Sequence, residues 1–212
     1  MTSSLRARLA ALVALLEVTA PHGRIGLMDT QPAWAFPEQM RLEGDGIQLR
    51  EWAEDDVAAL VELYDDPEID RWTPIVSPFD TLAARSYLSD ARAARAEGRK
   101  MQLAITTDGV RARGEVLLFR SDADARDAEI GYGVAAPFRG RGLATRSVRL
   151  LATYATRRLR PRRVVLRIEE ANTASAGVAR ASGFELTEDE PVFRPAKGRE
   201  VVLRTWSYGG EG

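Results

Sequence analysis

The residues best suited to chemistry stand together in one short stretch, Arg139-Gly140-Arg141-Gly142-Leu143-Ala144-Thr145. The two glycines carry no Cβ, so a ligand can approach their backbone closely. The two arginines add fixed positive charge of the planar kind that suits phosphate. From Gly142 the pattern turns helical, with Leu143, Ser147, Leu150, Leu151 and Tyr154 on one face and Arg146, Arg149 and Arg157 on the other. The first N–H groups of a helix lack intrahelical partners, and the macrodipole favours negative charge beside them. The chemistry indicated is the capture of a phosphate-bearing ligand. The nucleotide-binding pattern G-x-x-x-x-G-K-S/T is absent. In the dinucleotide pattern G-x-G-x-x-G the third glycine is replaced by Thr145, and no early βαβ unit surrounds it. An arginine–glycine nucleic-acid segment also fits poorly, because the motif is single and sits inside a periodic strand–helix unit.

The elements that must position this loop can be read outward from it. Ala128 to Ala135 alternates Ile130, Tyr132 and Val134 with Glu129, Gly131 and Gly133, the period of a strand with two unlike faces, and Pro137 stops it. Upstream, Ile47 to Trp52 reads as a strand and Glu54 to Tyr64 as a helix broken at Asp65-Asp66-Pro67, with a short helical turn to Arg71. Asp80 caps a helix to about Ala96 that Gly98 ends, followed by a strand pair, Lys100 to Thr106 and Gly114 to Arg120. Downstream come a strand from Arg163 to Ile168, a helix from Asn172 to Gly183, and two strands, Phe184 to Thr187 and Glu200 to Trp206.

Composition narrows the function further. The 212 residues carry a net charge of −1, so no basic field points to nucleic acid. There is no cysteine, which removes disulfides, thiol nucleophiles and thiolate metal sites. The single histidine, His22, lies far from the loop, so His-ligated metal clusters and a Ser-His-Asp triad are excluded from the body of the chain. Residues 1–40 read as an N-terminal extension, a helix followed by an irregular linker containing Pro21, Pro32 and Pro37, and 41–210 as one domain. The apolar run Leu9 to Leu16 is too short to span a bilayer, and Glu17 and Pro21 argue against a signal peptide. No membrane partner is expected, and the location expected is cytoplasmic. The face formed by Leu5, Leu9, Leu12, Val13 and Leu16 needs cover, from the body or from a second copy in a homodimer.

Arg139-x-x-Gly142-x-Ala144, preceded by a strand ending Val134-Ala135-Ala136-Pro137, resembles the acetyl-CoA pyrophosphate loop, Q/R-x-x-G-x-G/A, of the GNAT superfamily of N-acetyltransferases. The order of elements from about Gly46 to Tyr208 is similar to that family throughout. Asn172, Ser175, Gly183 and Phe184 match a second family motif, an Asn opening the following helix and Gly-Phe closing it. Leu49-Arg50-Glu51-Trp52, Asp55-Asp56 and Asp66-Pro67 resemble the branch that acetylates the N-termini of ribosomal proteins.

The resemblance implies an α/β GNAT fold, a mixed, mostly antiparallel central sheet of about six or seven strands flanked by about four helices. It implies acetyl-CoA as co-substrate, held by Arg139, Gly140, Arg141, Gly142, Leu143, Ala144, Thr145 and Asn172 and by the backbone of Val134. The acceptor it implies is a primary amine, a protein N-terminus by branch, with a small amine such as an antibiotic or polyamine as the alternative. Most members place a Tyr seven residues after the motif Asn to protonate the leaving thiolate. Ala179 stands there, which keeps open a non-catalytic acyl-CoA-binding module. Ser175 is the nearest hydroxyl for the sulfur, Glu129 is the first candidate for the base, and Glu115 on the neighbouring strand is the second.

Overall fold

The computed structural model describes residues 34–37 and 39–209; the expected N-terminal helix and His22 lie outside the described residues. Among the described residues there are nine strands: β1 Arg41–Gly44, β2 Ile47–Glu51, β3 Lys100–Thr106, β4 Gly114–Arg120, β5 Ala128–Val134, β6 Val164–Glu169, β7 Phe184–Leu186, β8 Val192–Ala196 and β9 Arg199–Tyr208. Five α-helices accompany them: α1 Val57–Tyr64, α2 Pro67–Trp72, α3 Thr81–Ala96, α4 Leu143–Tyr154 and α5 Thr173–Ala181. The sheet runs β1-β2-β3-β4-β5-β6-β9-β7, with β8 paired to β9. Every pair is antiparallel except β5–β6.

The fold class is the one expected, with two more strands than the sequence pattern indicates. β1 is a four-residue edge strand, RLEG, with no buried residue to mark its period. β8 contains Pro195 and exposes Phe193; a proline is tolerated there because the strand lies at an edge. The short helical turn expected to Arg71 is a formed helix, α2. The Asp65-Asp66-Pro67 break also starts a helix, since Asp66 accepts the N–H groups of Glu68 and Ile69 while Pro67 fills the first turn, where no N–H is required. Ahead of β1, Trp34 and Met40 are buried in the core, and the Arg120 guanidinium lies over Trp34 at 4.4 Å.

Side-chain alternation assigns the helices to faces. A Cβ on Gly133 would touch Ile69 and Leu63, and its cross-strand partner Glu115 bonds Tyr64 and Tyr87, so α1, α2 and α3 cover that face. The other face carries Val116, Leu118, Ile130 and Tyr132. α4 and α5 cover it, with Leu150 against Gly44 and the Tyr132 hydroxyl on the Ser175 carbonyl.

The feature that positions the site is a divergence. β4–β5 pairing continues to Val134, but β5 and β6 pair only at Ala128–Val164 and Glu129–Val165, and then separate. Backbone groups of alternate residues point to opposite sides of a strand. Ala128 donates toward β6 (to Arg163, 2.9 Å) and Ala135 toward β4 (to Arg113, 3.0 Å). The backbone groups of Tyr132 and Val134 therefore turn into the gap beside β5.

Candidate active site

The loop at the head of this gap suits an anion. Gly140 and Gly142 hold φ of 72° and 70°, the left-handed region that residues with a Cβ resist. A Cβ on Gly140 would meet no atom within 4 Å, so backbone conformation and an open backbone surface, not internal packing, call for glycine. Gly142 is the N-cap of α4, and no side chain caps that helix. The bond from the Arg146 N–H to the Gly142 carbonyl, 3.1 Å, begins the helical ladder. The N–H groups of Leu143, Ala144 and Thr145 precede it and have no acceptor within the helix.

The arginines around the loop divide between bracing and free charge. Arg139 donates through Nε to the Val134 carbonyl, 2.9 Å, and through Nη2 to Asp66 Oδ1, 2.7 Å, which ties the loop to the start of α2. Burial alone would raise the Asp66 pKa, but the Arg139 bond and the helix N–H groups hold it below the usual carboxylate range. Arg146 caps the carbonyls of Gly142 and Arg141 and reaches the Asp45 carbonyl, 2.8 Å, while Arg149 pairs with the Asp45 carboxylate. Arg141 is exposed and makes no ion pair among the described residues.

Asn172, Ser175 and Tyr132 lie together beside the gap. Asn172 Oδ1 caps α5 by accepting the Ser175 N–H, 3.0 Å. The Ser175 carbonyl accepts the Tyr132 hydroxyl, 3.3 Å, and the Ser175 hydroxyl has no partner among the described residues. Burial pushes the Tyr132 phenol up to about 12, so it stays a neutral donor. Ala179 is fully buried, and helix α5 brings no phenol to the gap. The Val134 carbonyl is occupied by Arg139, which leaves its N–H for a ligand.

The two candidate carboxylates share the α1–α3 face but differ in setting. Glu129 sits where β5 and β6 part, 3% exposed. Arg194 of β8 grips both its oxygens, at 2.7 and 2.6 Å, Ser121 donates to it at 3.1 Å, and Arg167 lies 4.0 Å away. Burial would lower the Arg194 pKa, but its bonds to Glu129 raise it above the ordinary value. Glu115 is fully buried in an aromatic cluster, accepting from Trp52 Nε1, 2.7 Å, the Tyr87 hydroxyl, 2.6 Å, and the Tyr64 hydroxyl. Burial raises its pKa against the pull of these donors. Sequence reasoning missed Arg194 and the three aromatics, because each meets its carboxylate across 28 to 65 residues and no local spacing marks such a pair. It also missed the tip of the β8–β9 hairpin, where Lys197 bonds Asp70, 2.7 Å, and Arg199 bonds Glu169, 2.9 Å.

Comparison with known proteins supports the same assignment. The family model described as Acetyltransferase (GNAT) domain matches residues 47–185. An uncharacterized N-acetyltransferase of Bacillus licheniformis is 26% identical over 165 residues, 76% of this chain and 91% of that protein. RimJ of Mycobacterium smegmatis, solved with CoA-disulfide, has a TM-score of 0.65 at 23% identity over 80% of this chain and 86% of that one. RimL, a ribosomal alpha-N-protein acetyltransferase solved with coenzyme A, has a TM-score of 0.65 at 20% identity over 79% of this chain and 97% of that one. Loop, gap and family match converge: the chain belongs to the GNAT acetyltransferase family and is an acyltransferase that draws on acetyl-CoA.

Proposed function

We propose that this enzyme acetylates the α-amino group of a protein N-terminus. The observation that carries transfer to an amine is the β5–β6 gap. It opens below the unpaired N–H groups of α4, and on its α1–α3 face Gly131 and Gly133 present no side chains. The pyrophosphate lies on the backbone of Gly140 to Thr145, and the pantetheine arm runs down the gap, bonded by the Val134 N–H and flanked by Asn172. Bound there, acetyl-CoA supplies an activated acyl carbonyl. The Ser175 hydroxyl donates to the departing sulfur, and Glu129 takes the proton that the amine sheds. The Glu115 cluster positions α1 and α3, which carry Tyr64 and Tyr87, on the acceptor side.

The N-terminal acceptor is supported by the stretch from Leu49 to Asp56 and by the fold shared with RimL. One observation favours a small amine instead. Lys197 and Arg199 tie the hairpin tip to α2 across the same face, through Asp70 and the Arg71 carbonyl, which narrows the entrance. Coenzyme A release, measured with a panel of peptides bearing different first residues beside polyamines and aminoglycosides, decides the matter. Peptides are expected to turn over with acetyl found on the α-nitrogen by mass spectrometry. Turnover only with small amines overturns the N-terminal reading, and turnover with none favours a binding module.

A further inference from the structure

Phe138 lies just before the glycine loop, 7% exposed, and three guanidinium groups gather on its ring. Arg111 stands 5.0 Å from the ring centroid, Arg113 5.2 Å and Arg141 5.9 Å. Two belong to the β3–β4 connection and the third to the loop itself. Attraction between a cation and an aromatic face is modest and does not account for three like charges on one ring. Carboxylates answer them only in part. Asp108 takes Arg113 at 3.0 Å, and Glu62 is 3.8 Å from Arg111. The Arg141 guanidinium has no hydrogen bond or ion pair among the described residues, and the buried Arg113 Nε has no hydrogen-bond partner.

The backbone that carries Arg111 and Arg113 is fixed in place. Asp108 Oδ1 accepts the N–H groups of Val110 and Arg111, both at 2.9 Å. The Arg113 N–H bonds the Ile105 carbonyl, 2.8 Å, and its carbonyl accepts the Ala135 N–H, 3.0 Å, which fixes the connection to β3 and to the end of β5. A fixed backbone limits how far these side chains must travel to meet a ligand.

We propose that Arg111, Arg113 and Arg141, gathered on Phe138, form an anion subsite separate from the backbone donors of the loop, and that it takes the 3′-phosphate of the acyl donor. The backbone N–H groups suit the singly charged oxygens of a pyrophosphate diester. Guanidinium forks suit a phosphate monoester, which carries up to two negative charges and three free oxygens. In coenzyme A the monoester is on the ribose next to the pyrophosphate, so a site that shares Arg141 with the loop is within reach. This inference rests on the acetyl-CoA reading of the loop.

Titration calorimetry of the full chain with coenzyme A and with dephospho-coenzyme A tests it. The unaltered protein is expected to bind coenzyme A at least about tenfold more tightly, the scale of a charge-assisted contact. In Arg111→Gln the ratio is expected to fall toward one while the affinity for the dephospho form holds. The Arg111 side chain is 61% exposed, so this variant leaves the core intact; Arg141→Gln, expected also to lower the ratio, is the second variant. Equal binding of the two ligands by the unaltered protein overturns the subsite, as does an Arg111→Gln variant that loses affinity for both in the same proportion. If the unaltered protein binds neither, the donor reading falls and takes the subsite with it.

Discussion

At the scale of single residues, the loop depends on backbone shape and the gap on a few polar atoms. Gly142 combines a φ of 70° with the N-cap position of α4. Gly142→Val strains that conformation and places a branched side chain among the anion donors. Hydrogen bonds to charged groups contribute roughly 1.5–3 kcal/mol each, so acetyl-CoA affinity is expected to fall at least about tenfold, as read by calorimetry on a folded variant. Unchanged affinity would remove the loop from the binding site. The test at Glu129 must separate chemistry from structure, because Arg194 grips both its oxygens. Arg194→Ala leaves a buried carboxylate without its main partner, and breaking such a pair costs about 3–5 kcal/mol. That variant is expected to lose thermal stability. Glu129→Gln should instead flatten the acid limb of the pH–rate profile. With peptide N-termini, whose reference pKa is about 7.7–8.0, its rate defect should shrink above pH 8. A defect constant from about pH 6 to 9, with chemistry rate-limiting, would leave Glu129 only the structural role that Arg194 already shows.

At the scale of elements, the close approach of β4 to β5 shapes the gap. A Cβ on Gly114 would lie 2.4 Å from the Gly133 carbonyl oxygen and 3.0 Å from the Val134 Cα. Both are backbone atoms and cannot swing aside. Gly114→Ala must therefore push β5 away from β4 at the residues that border the gap. Overpacking of this kind costs typically about 1–3 kcal/mol. A lowered urea midpoint together with weaker acetyl-CoA binding is expected; full stability and affinity would show that the strands yield at no cost. The elements read most sharply in sequence include those with a strong period or a capping residue: β3, β4, β5, α3 and α5. β1 and β8 escaped because edge strands bury too little to impose alternation.

At the scale of the whole molecule, pH acts through buried ion pairs. Asp127 is fully buried at the start of β5 and receives Arg162 at 2.7 and 2.8 Å and Arg163 at 3.0 Å. Burial alone would raise its pKa, but these bonds hold it below the usual carboxylate range. An unfolded aspartate titrates at about 3.9. A depressed folded value means that this stabilisation is complete above that point and is lost as pH falls through the folded value. The urea midpoint is expected to fall steadily below about pH 4. Asp127→Asn should shrink that slope while lowering stability at neutral pH. A slope equal to that of the unaltered protein would place the acid sensitivity elsewhere.

The sequence by itself determined the strand, the glycine loop and the helix that follows it, and its resemblance to a known family implied the donor. The strand, loop and helix rest on neighbours within a few residues, where glycine conformation, capping and periodicity act. Tertiary structure alone decided what surrounds the two glutamates and how the acceptor side is covered. Nothing near Glu129 in the chain foretells Arg194, 65 residues on, and nothing near Asp70 foretells Lys197, 127 residues on. A charged side chain finds its partner through the path of the sheet, and that path is fixed by burial summed over the whole core, which no single stretch of sequence contains.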